Sequence, residues 1–421
     1  MKALHDPILE DGIPFTAYFN GRLLSGEDLA RDQEGNREAR RRIGQTIGDG
    51  VAFGLQVFET PGQSTSTSPV LTVQAGVAIN RQGQALALRS PVDISLVRAV
   101  SPASGVSPTS FKTCDETQPG VFVVGEGVYV LMIGCAEGGQ GRAPVSGLGD
   151  ATASCNVRSV VEGVQFRLVQ PVVNPLVLAD RAHLRNRVAG SALGLAERLS
   201  ITRDPMGLAP SAYGLVDALR ATGAAIDCDV PIALLHWTPS EGITFVDMWS
   251  VRRRPSNRGA DARWPLIFGD RIGAEAEATF LQFQEQIDDI AVSGEDASVI
   301  AARDRFDYLP PFGMLPLQIG TRPGFVPLQF FGADMLPRDI AYTDGSLVRS
   351  LLQESFAHDP IDLSDPSRVQ VYQVFENMQA AAVGLPVTPI LLFASRELPY
   401  RGVARFGFGR WEQSRFVRQV V

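Results

Sequence analysis

The sequence predicts an α+β, β-rich fold, with an N-terminal helix plus β-hairpin module, a central β domain and a mixed C-terminal domain. Apolar and polar residues alternate in the second half of 70–88, which contains an Asn-Arg-Gln-Gly turn, and this is typical of a half-buried β-hairpin. A second hairpin is predicted where two apolar runs, 230–238 and 243–254, flank a Pro-Ser-Glu-Gly turn. The helical spacing of apolar residues at 272–294 supplies the α component.

The chain has 421 residues, of which 45% are hydrophobic and 20% charged, and this is the composition of a globular protein. Its length predicts roughly two or three domains, which we place at 1–100, 101–260 and 261–421. The net charge of -8 argues against a nucleic-acid partner, because such proteins neutralise phosphates with a basic surplus. Only Lys2 and Lys112 are lysines, so arginine supplies nearly all the positive charge, and arginine-rich surfaces suit contacts between proteins.

The first predicted element is a helix from Ser25 to about Ile47. Ser25 has the side chain of a helix N-cap, and the acidic pair that follows lies in the first turn, where the helix dipole favours negative charge. The apolar stripe of this helix is thin and consists of Leu29, Ala39, Ile43 and Ile47. A helix with so little apolar surface cannot fill a large core, so we expect it to lie on the surface or to pack against a partner chain.

Strands dominate the next part of the chain. A Gly-Asp-Gly sequence ends the helix, and 51–57 is predicted as one strand, followed by two strands within 70–88. Further strands are expected at 121–134 and 160–173. The glycine-rich segment 134–154 between them is predicted to be a long flexible loop.

Helices are predicted again ahead of the second hairpin, at 181–200 and 209–223, and later at 345–357. The proline- and aromatic-rich run 306–316 cannot form a regular helix, because proline lacks the backbone N–H. Two strands are predicted near the C-terminus, at 369–375 and 389–396.

A search for catalytic and metal-binding patterns gives none above background. The sequence has no GxxxxGK[ST] loop, no GxGxxG between strand and helix, no GxSxG nucleophile elbow and no HExxH zinc motif. The four histidines lie far apart, and His236 is predicted to be a packed strand residue. Asp359, Asp362 and Asp365 lack the spacing of a calcium loop, so we assign them to turns and helix capping. We therefore expect no metal, no cofactor and no enzymatic activity.

The four cysteines show none of the paired spacings of a zinc site, and they are too sparse for a disulfide scaffold. We therefore interpret them mainly as small buried residues. The sequence leaves open a bridge between Cys135 and Cys155 around the glycine-rich loop.

Two further features are candidates for contact with other molecules. Arg252, Arg253 and Arg254 form the strongest basic patch, and the lack of interleaved aromatic residues favours a solvated or protein-contacting surface over a nucleic-acid site. Aromatic residues and arginine dominate the energetics of protein interfaces, so the proline/aromatic run and the aromatic/arginine tail are candidates too. From these two segments we select Phe306, Tyr308, Phe312 and Trp411. Packing within the chain is an equal alternative for the first three.

The segment from Tyr18 to Leu96 resembles a module of phage tails and phage-tail-like contractile injection systems. The resemblance rests on an NGxxL turn, a DLxxxQ helix start, a strand that ends GLxV and a GxAxxxxG hairpin. The matching residues are Asn20, Gly21, Leu24, Asp28, Leu29, Gln33, Gly50, Val51, Gly54, Leu55, Val57, Gly76, Ala78 and Gly83. Later segments fit the same type of protein more thinly.

The resemblance implies a structural protein without catalytic residues. It makes Asn20, Gly21, Asp28, Leu29 and Gln33 interface candidates. We expect a baseplate-associated subunit, located at the rim, at a fibre attachment or in the spike cage. Its expected partners are other baseplate or tail subunits and further copies of the chain in a symmetric assembly.

Two other functions are kept as alternatives. A receptor- or carbohydrate-binding tail fibre would contact its ligand, such as a cell-surface receptor, through exposed aromatic residues, for which Trp237 and Trp249 on either side of one turn are candidates. A hydrolase of envelope polymers is the third hypothesis, because carboxylate pairs for such chemistry are spaced in three dimensions and not in sequence.

The expected location follows from the apolar segments. The N-terminal residues lack the apolar core and cleavage site of a signal peptide. The longest apolar run, 121–135, contains Glu126 and is too short to cross a bilayer. We therefore expect synthesis and assembly in the cytoplasm, with no membrane insertion and with release only as part of a particle.

Overall fold

The computed structural model describes residues 12–97, 111–113, 122–123, 125–142, 157–195, 214–256, 270–318, 323–335, 339–343, 345–364, 369–374, 384, 390–395, 398 and 418–420. Within these ranges the protein combines helices with several small sheets, whose strand pairs are antiparallel apart from one parallel pair near the C-terminus. This confirms the predicted α+β, β-rich fold class. None of the helices in the described part of the chain has both the length and the apolar content that crossing a bilayer requires.

The N-terminal part consists of one helix and two small antiparallel sheets. The helix is α1 (Gly26–Ile47), close to its predicted bounds. One sheet has the order β1 (Gly50–Gly54), β4 (Gly76–Ile79) and β5 (Ala85–Leu88). The other has the order β2 (Val57–Glu59), β3 (Val70–Val73) and β6 (Val92–Ser95).

The chain crosses three times between these two sheets, and the first two crossings correct the predicted strands. The single strand expected at 51–57 is broken because Gly54 and Leu55 have φ angles of 65° and 55°, which no regular strand contains. The two strands expected within 70–88 are three, because the chain leaves β3 and enters β4 at Gln74 and Ala75. The Leu55 N–H donates to the Ala75 carbonyl, and the Gln74 N–H donates to the Gln56 carbonyl, so the two crossings are joined.

A five-stranded sheet follows, arranged around the long strand β8 (Gly127–Arg142). Strand β9 (Val157–Val169) pairs along one edge of β8, and β10 (Val230–Thr238) and β7 (Phe111–Thr113) pair along the other. Strand β11 (Gly242–Asp247) pairs with β10 across the predicted hairpin turn. The long loop predicted at 134–154 is wrong for residues up to Arg142, because the valine-rich strand β9 supplies hydrogen-bonding partners to these glycines.

The central sheet is buried on both faces where β8 pairs with β10, which explains why β10 and the first half of β8 are mainly apolar. Alternate residues of a strand point to opposite faces. On β8 one set lies in a core shared with the two small sheets and comprises Tyr129, Leu131 and Ile133. The other set lies against three helices and comprises Val128, Val130 and Met132. These helices are α2 (Pro175–Ala179), α3 (Leu184–Leu193) and α4 (Gly214–Ala221).

The C-terminal part contains the long helix α5 (Arg271–Val292), again close to its predicted bounds, and two further helices, α6 (Pro327–Phe331) and α7 (Gly345–Ser355). Single 3₁₀ turns lie at Ala297–Val299 and Ala302–Asp304. One small sheet pairs β12 (Tyr308–Leu309) with β15 (Ile361–Asp362). The larger sheet has the order β13 (Phe312–Pro316), β17 (Ile390–Ser395), β16 (Val369–Val374), β14 (Asp339–Thr343) and β18 (Arg418–Val420).

One apolar core includes residues from both sides of position 100. This core combines residues between Val51 and Leu96 with residues of β8, β9 and β10, so the first two predicted domains share it. A separate core of interlocking phenylalanine rings lies between α5 and the C-terminal sheet. The boundaries at 100 and 260 stay predictions.

Two cysteines are described in chemical terms. Cys228 is a buried thiol outside any disulfide, in keeping with its interpretation as a small buried residue, and its Sγ lies 3.5 Å from the Gln82 side-chain oxygen. Cys135 is disulfide-bonded, and its partner lies outside the described residues, as does Cys155.

Candidate docking surface

The chain enters α1 through a turn and an extended segment. The Arg22 N–H donates to the Phe19 carbonyl over 3.2 Å, and Gly21 has a φ of 87°, so the predicted Asn20-Gly21 turn is present. Both turn residues are exposed. The turn brings the segment before it back alongside the first turn of the helix.

Asp28 holds this entry segment in place. Its carboxylate accepts hydrogen bonds from the Ser25 N–H over 3.1 Å and from the Arg22 guanidinium over 2.6 Å, while the Ser25 hydroxyl caps the Asp28 N–H. The Thr16 hydroxyl donates to the Asp28 carbonyl. The pKa of Asp28 is lowered, chiefly by the hydrogen bond from the Ser25 backbone. Asp28 therefore serves the fold of this chain, and the structure gives a clear reason for an aspartate there.

Helix α1 packs against the rest of the protein at two of its glycines and not through apolar side chains. Its buried residues are Gly35 and Gly44. Gly35 faces the entry segment at Pro14 and Phe15, and an added Cβ on Gly44 would overlap the Gly83 carbonyl in the β4–β5 turn. Backbone therefore meets backbone, and the helix has no apolar face inserted into a core.

An arginine adds a second attachment between α1 and the central sheet. Glu137 on β8 lies directly opposite Glu162 on β9, and like charges in this position repel. The Arg37 guanidinium lies 3.5 Å from the Glu137 carboxylate and 3.2 Å from the Glu162 carboxylate. It therefore offsets the repulsion and ties the helix to the strand pair.

Because α1 is attached in this way, its apolar residues and those of the entry segment face solvent. Leu23 is 92% exposed, and Leu29, Ile43 and Ile47 are 51%, 63% and 50% exposed. We define the N-terminal apolar surface as Phe15, Tyr18, Phe19, Leu23, Leu24, Leu29, Ile43 and Ile47. The described residues include 18 exposed large apolar side chains in all. Eight of the 18 come from only 33 consecutive positions, 15–47. Such a concentration is typical of a site of protein contact.

The interface candidates from the sequence are distributed over this surface. Asn20, Gly21, Leu29 and Gln33 are exposed on it, whereas Asp28 is engaged in the capping interactions described above. Their role in binding stays a prediction.

The arginine run is largely turned into the protein. Arg252 is 6% exposed, and its guanidinium donates to the carbonyls of Leu55 and Gly54 over 3.1 and 2.6 Å. Burial lowers its pKa to about 10. Arg253 donates to nearby backbone carbonyls, and only Arg254 is exposed, paired with Glu277 over 2.8 Å. Arg252 thus fills the corner at which the chain leaves β1.

The aromatic candidates of 306–316 pack within the chain. Phe306 and Phe312 are each 1% exposed and belong to the C-terminal cores. The Tyr308 hydroxyl is buried, and burial raises the pKa of Tyr308 well above its ordinary value. The intramolecular alternative is therefore the one that the structure shows. Trp411 lies outside the described residues.

The central sheet contains His236, which the sequence analysis places among packed strand residues, and this prediction is confirmed. Its side chain is fully buried, its Nδ1 lies 2.7 Å from the Thr244 hydroxyl, and its ring stacks on Phe245. Burial, followed by the charge of Arg181, lowers the pKa of His236 to about 4. The imidazole is therefore neutral near pH 7 and is a weak general base.

The sequence analysis missed a buried charge cluster between α3, β11 and α5. The Arg185 guanidinium contacts Asp247 over 3.1 Å and Asp289 over 2.5 Å, and it lies 3.6 Å from Glu285. Burial, with a smaller contribution from Asp247, raises the pKa of Glu285 to about 7. The three carboxylates lie 62 to 104 residues after Arg185 in the sequence, so no local pattern could have revealed the cluster.

A second mixed cluster lines a small pocket of about 60 Å³ between α4, α5 and β1. Asp217 accepts from Arg271 over 2.6 Å and from Arg81 over 3.2 Å. Three carboxylates and three guanidinium groups line this pocket, so the lining has no net charge with which to attract a charged ligand. No group of three or more His, Cys, Asp or Glu side chains in the described residues is placed to hold a metal ion.

No protein-family model matches the chain. A search of curated proteins gives no match either.

Proposed function

We propose that this chain is a structural subunit of a contractile injection system or phage tail, associated with the baseplate and acting by protein–protein docking in a symmetric assembly. The observation that carries the proposal is the N-terminal apolar surface, which a fold of this size leaves uncovered. Its partners would be other baseplate or tail subunits and further copies of the chain. Assembly would take place in the cytoplasm.

The residues behind the resemblance support the proposal in two different ways. Some of them have a role in the fold of the module. Leu55 is fully buried at the sheet crossing, and Gly83 packs directly against the backbone of α1. Others are exposed and have no role in the fold that the structure reveals, among them Gln33 and Leu24. A pattern that includes exposed apolar and amide residues favours a module built to bind a neighbour.

The carbohydrate-binding alternative loses the feature that suggested it. Trp237 is 6% exposed, lies in the central core and donates from its indole N–H to the Ser66 carbonyl. Trp249 is partly covered by the Arg252 guanidinium, which lies 5.2 Å from its ring centre. The two rings therefore form no open aromatic pair for a sugar.

Electron microscopy of sheathed particles from wild-type and deletion strains tests the proposal. We expect deletion particles to lack a baseplate or to lack density at its rim or around the spike. Complete and unchanged particles would show that the chain is not a tail component.

Complementation of the deletion strain tests the docking surface itself. The double variant Phe19→Asp with Leu23→Asp places charges on two strongly exposed positions and should reproduce the particle defect. A matched control is Leu176→Asp with Val292→Asp, at positions that are 77% and 81% exposed outside this surface. Equal assembly by both variants would exclude docking through the N-terminal apolar surface.

A further inference from the structure

The exposed side of α1 carries a regular seam. Six residues lie at alternating spacings of four and three: Leu29, Gln33, Asn36, Arg40, Ile43 and Ile47. All six are exposed, whereas the flanks of the helix are covered by the entry segment at Gly35 and by the β4–β5 turn at Gly44. Alternation of four and three is the spacing at which one helix packs along another. The seam is therefore shaped for a second helix.

The charges of α1 indicate that the second helix is α1 of another copy of the chain, in an antiparallel orientation. Between Gly26 and Asn36 the helix has four acidic side chains and one basic, and between Arg37 and Ile47 it has four basic and one acidic. A second copy laid antiparallel brings each acidic half beside a basic half. A parallel copy would bring like halves together and would place Arg40 against itself.

The order of residues along the seam is also self-complementary. In an antiparallel pair centred near residue 38, Leu29 meets Ile47 of the second copy, and Gln33 meets Ile43. Asn36 then meets Arg40 of the second copy, so the guanidinium faces an amide oxygen and not another cation. The apolar contacts lie at both ends, the mixed contacts of Gln33 with Ile43 lie inside them, and the polar contacts lie at the two-fold axis. Each contact occurs twice, as an isologous interface requires.

We propose that α1 pairs with α1 of a second copy of this chain, antiparallel and two-fold symmetric, through the seam from Leu29 to Ile47. The inference deepens the proposed function and rests on it for its role in an assembly, because the pair would be one contact of a symmetric baseplate. The rest of the N-terminal apolar surface, from Phe15 to Leu24, is left for a different neighbour.

Disulfide trapping of the full-length chain tests the orientation. The double variant Gln33→Cys with Ile43→Cys should form a covalent dimer under mild oxidation, because position 33 faces position 43 of the second copy. Within one helix these positions are about 15 Å apart, so they cannot bridge to each other. The single variant Gln33→Cys should form no dimer beyond that of the unmodified protein, whose four native cysteines are the background. A dimer from the single variant would show a parallel pair and overturn the proposal.

Light scattering across a concentration series tests the association itself. The unmodified chain should form dimers, and the double variant Ile43→Asp with Ile47→Asp should weaken dimerisation by about tenfold or more. In an antiparallel pair these substitutions place carboxylates in the apolar contacts at both ends. The control Leu176→Asp should leave it unchanged, and circular dichroism should show all variants folded. A monomeric wild type at every concentration would overturn the pairing, whereas a particle defect in the Phe19/Leu23 variant would leave the proposed function standing.

Discussion

Arg252 shows how one side chain can set the path of the backbone. Its guanidinium reaches two carbonyls at the β1 corner from a position nearly 200 residues further along the chain. Arg252→Met leaves both carbonyls unpaired, so we expect the free energy of unfolding to fall by about 3 kcal/mol or more in urea denaturation. Arg254→Met is the matched control, and its exposed pairing should be worth at most about 0.5 kcal/mol. Equal losses from the two variants would contradict this account.

Glu285 gives the stability a dependence on pH. Its pKa is about 7 in the folded protein against an ordinary 4.5, so the folded state holds the proton more tightly than the unfolded chain. Stability from this group is therefore fully present below pH 4.5 and is lost as the pH rises through 7. Relative to wild type, Glu285→Gln should gain about 3 kcal/mol between pH 4 and pH 8. Thermal denaturation across this range measures the gain, and Glu277→Gln on the same helix is the control.

At the scale of elements, the contact between α1 and the β4–β5 turn depends on two glycines. A Cβ on Gly83 would overlap the Arg41 carbonyl, and its φ of 79° also disfavours other residues. Gly83→Ala and Gly44→Ala should each lower the free energy of unfolding by about 2 kcal/mol or more and should speed proteolysis within α1. Gly26→Ala, in the same helix with open space around it, should be neutral or stabilising. A protease-resistant α1 in Gly83→Ala would contradict this packing.

Which elements could be predicted depends on how local their causes are. The bounds of α1 followed from Ser25 and the glycine after Ile47, and the β4–β5 hairpin from its turn, because the residues that determine them are neighbours. The break at Leu55 depends on Arg252, and the strand character of the glycine-rich residues depends on β9. Neither partner is near in sequence, so composition alone suggested a continuous strand and a loop.

The same limit applies to the candidate surface. The thin apolar stripe of α1 indicated that this helix would not fill a core, and its side chains are indeed exposed. The sequence could not separate this case from that of Phe306 and Phe312, which are equally apolar but lie inside the C-terminal cores. Residue type reports the preference for burial, whereas the neighbours that provide it come from distant segments.

At the scale of the whole molecule, α3 joins the central sheet to the C-terminal part. One face of α3 packs against the sheet. On the other, the Asn186 side-chain oxygen accepts from the Asp307 N–H over 2.8 Å, and its amide donates to the Tyr308 carbonyl over 3.2 Å. Asn186 is 1% exposed, so these bonds are shielded from water. We expect this junction to couple the unfolding of the two parts.

Calorimetry can measure that coupling. We expect the wild type to unfold in one transition, and Asn186→Ala to lose about 2 kcal/mol and to unfold in two, because the Asp307 N–H and the Tyr308 carbonyl both lose the side chain that joins them to α3. Asn174→Ala removes the same side chain from the exposed cap of α2, where its oxygen accepts only the Leu176 N–H. It should cost about 1 kcal/mol and keep a single transition. A single transition in Asn186→Ala would mean that the other contacts of α3, among them the Arg185 cluster, couple the two parts without Asn186. Two transitions in the wild type would mean that the two parts are independent.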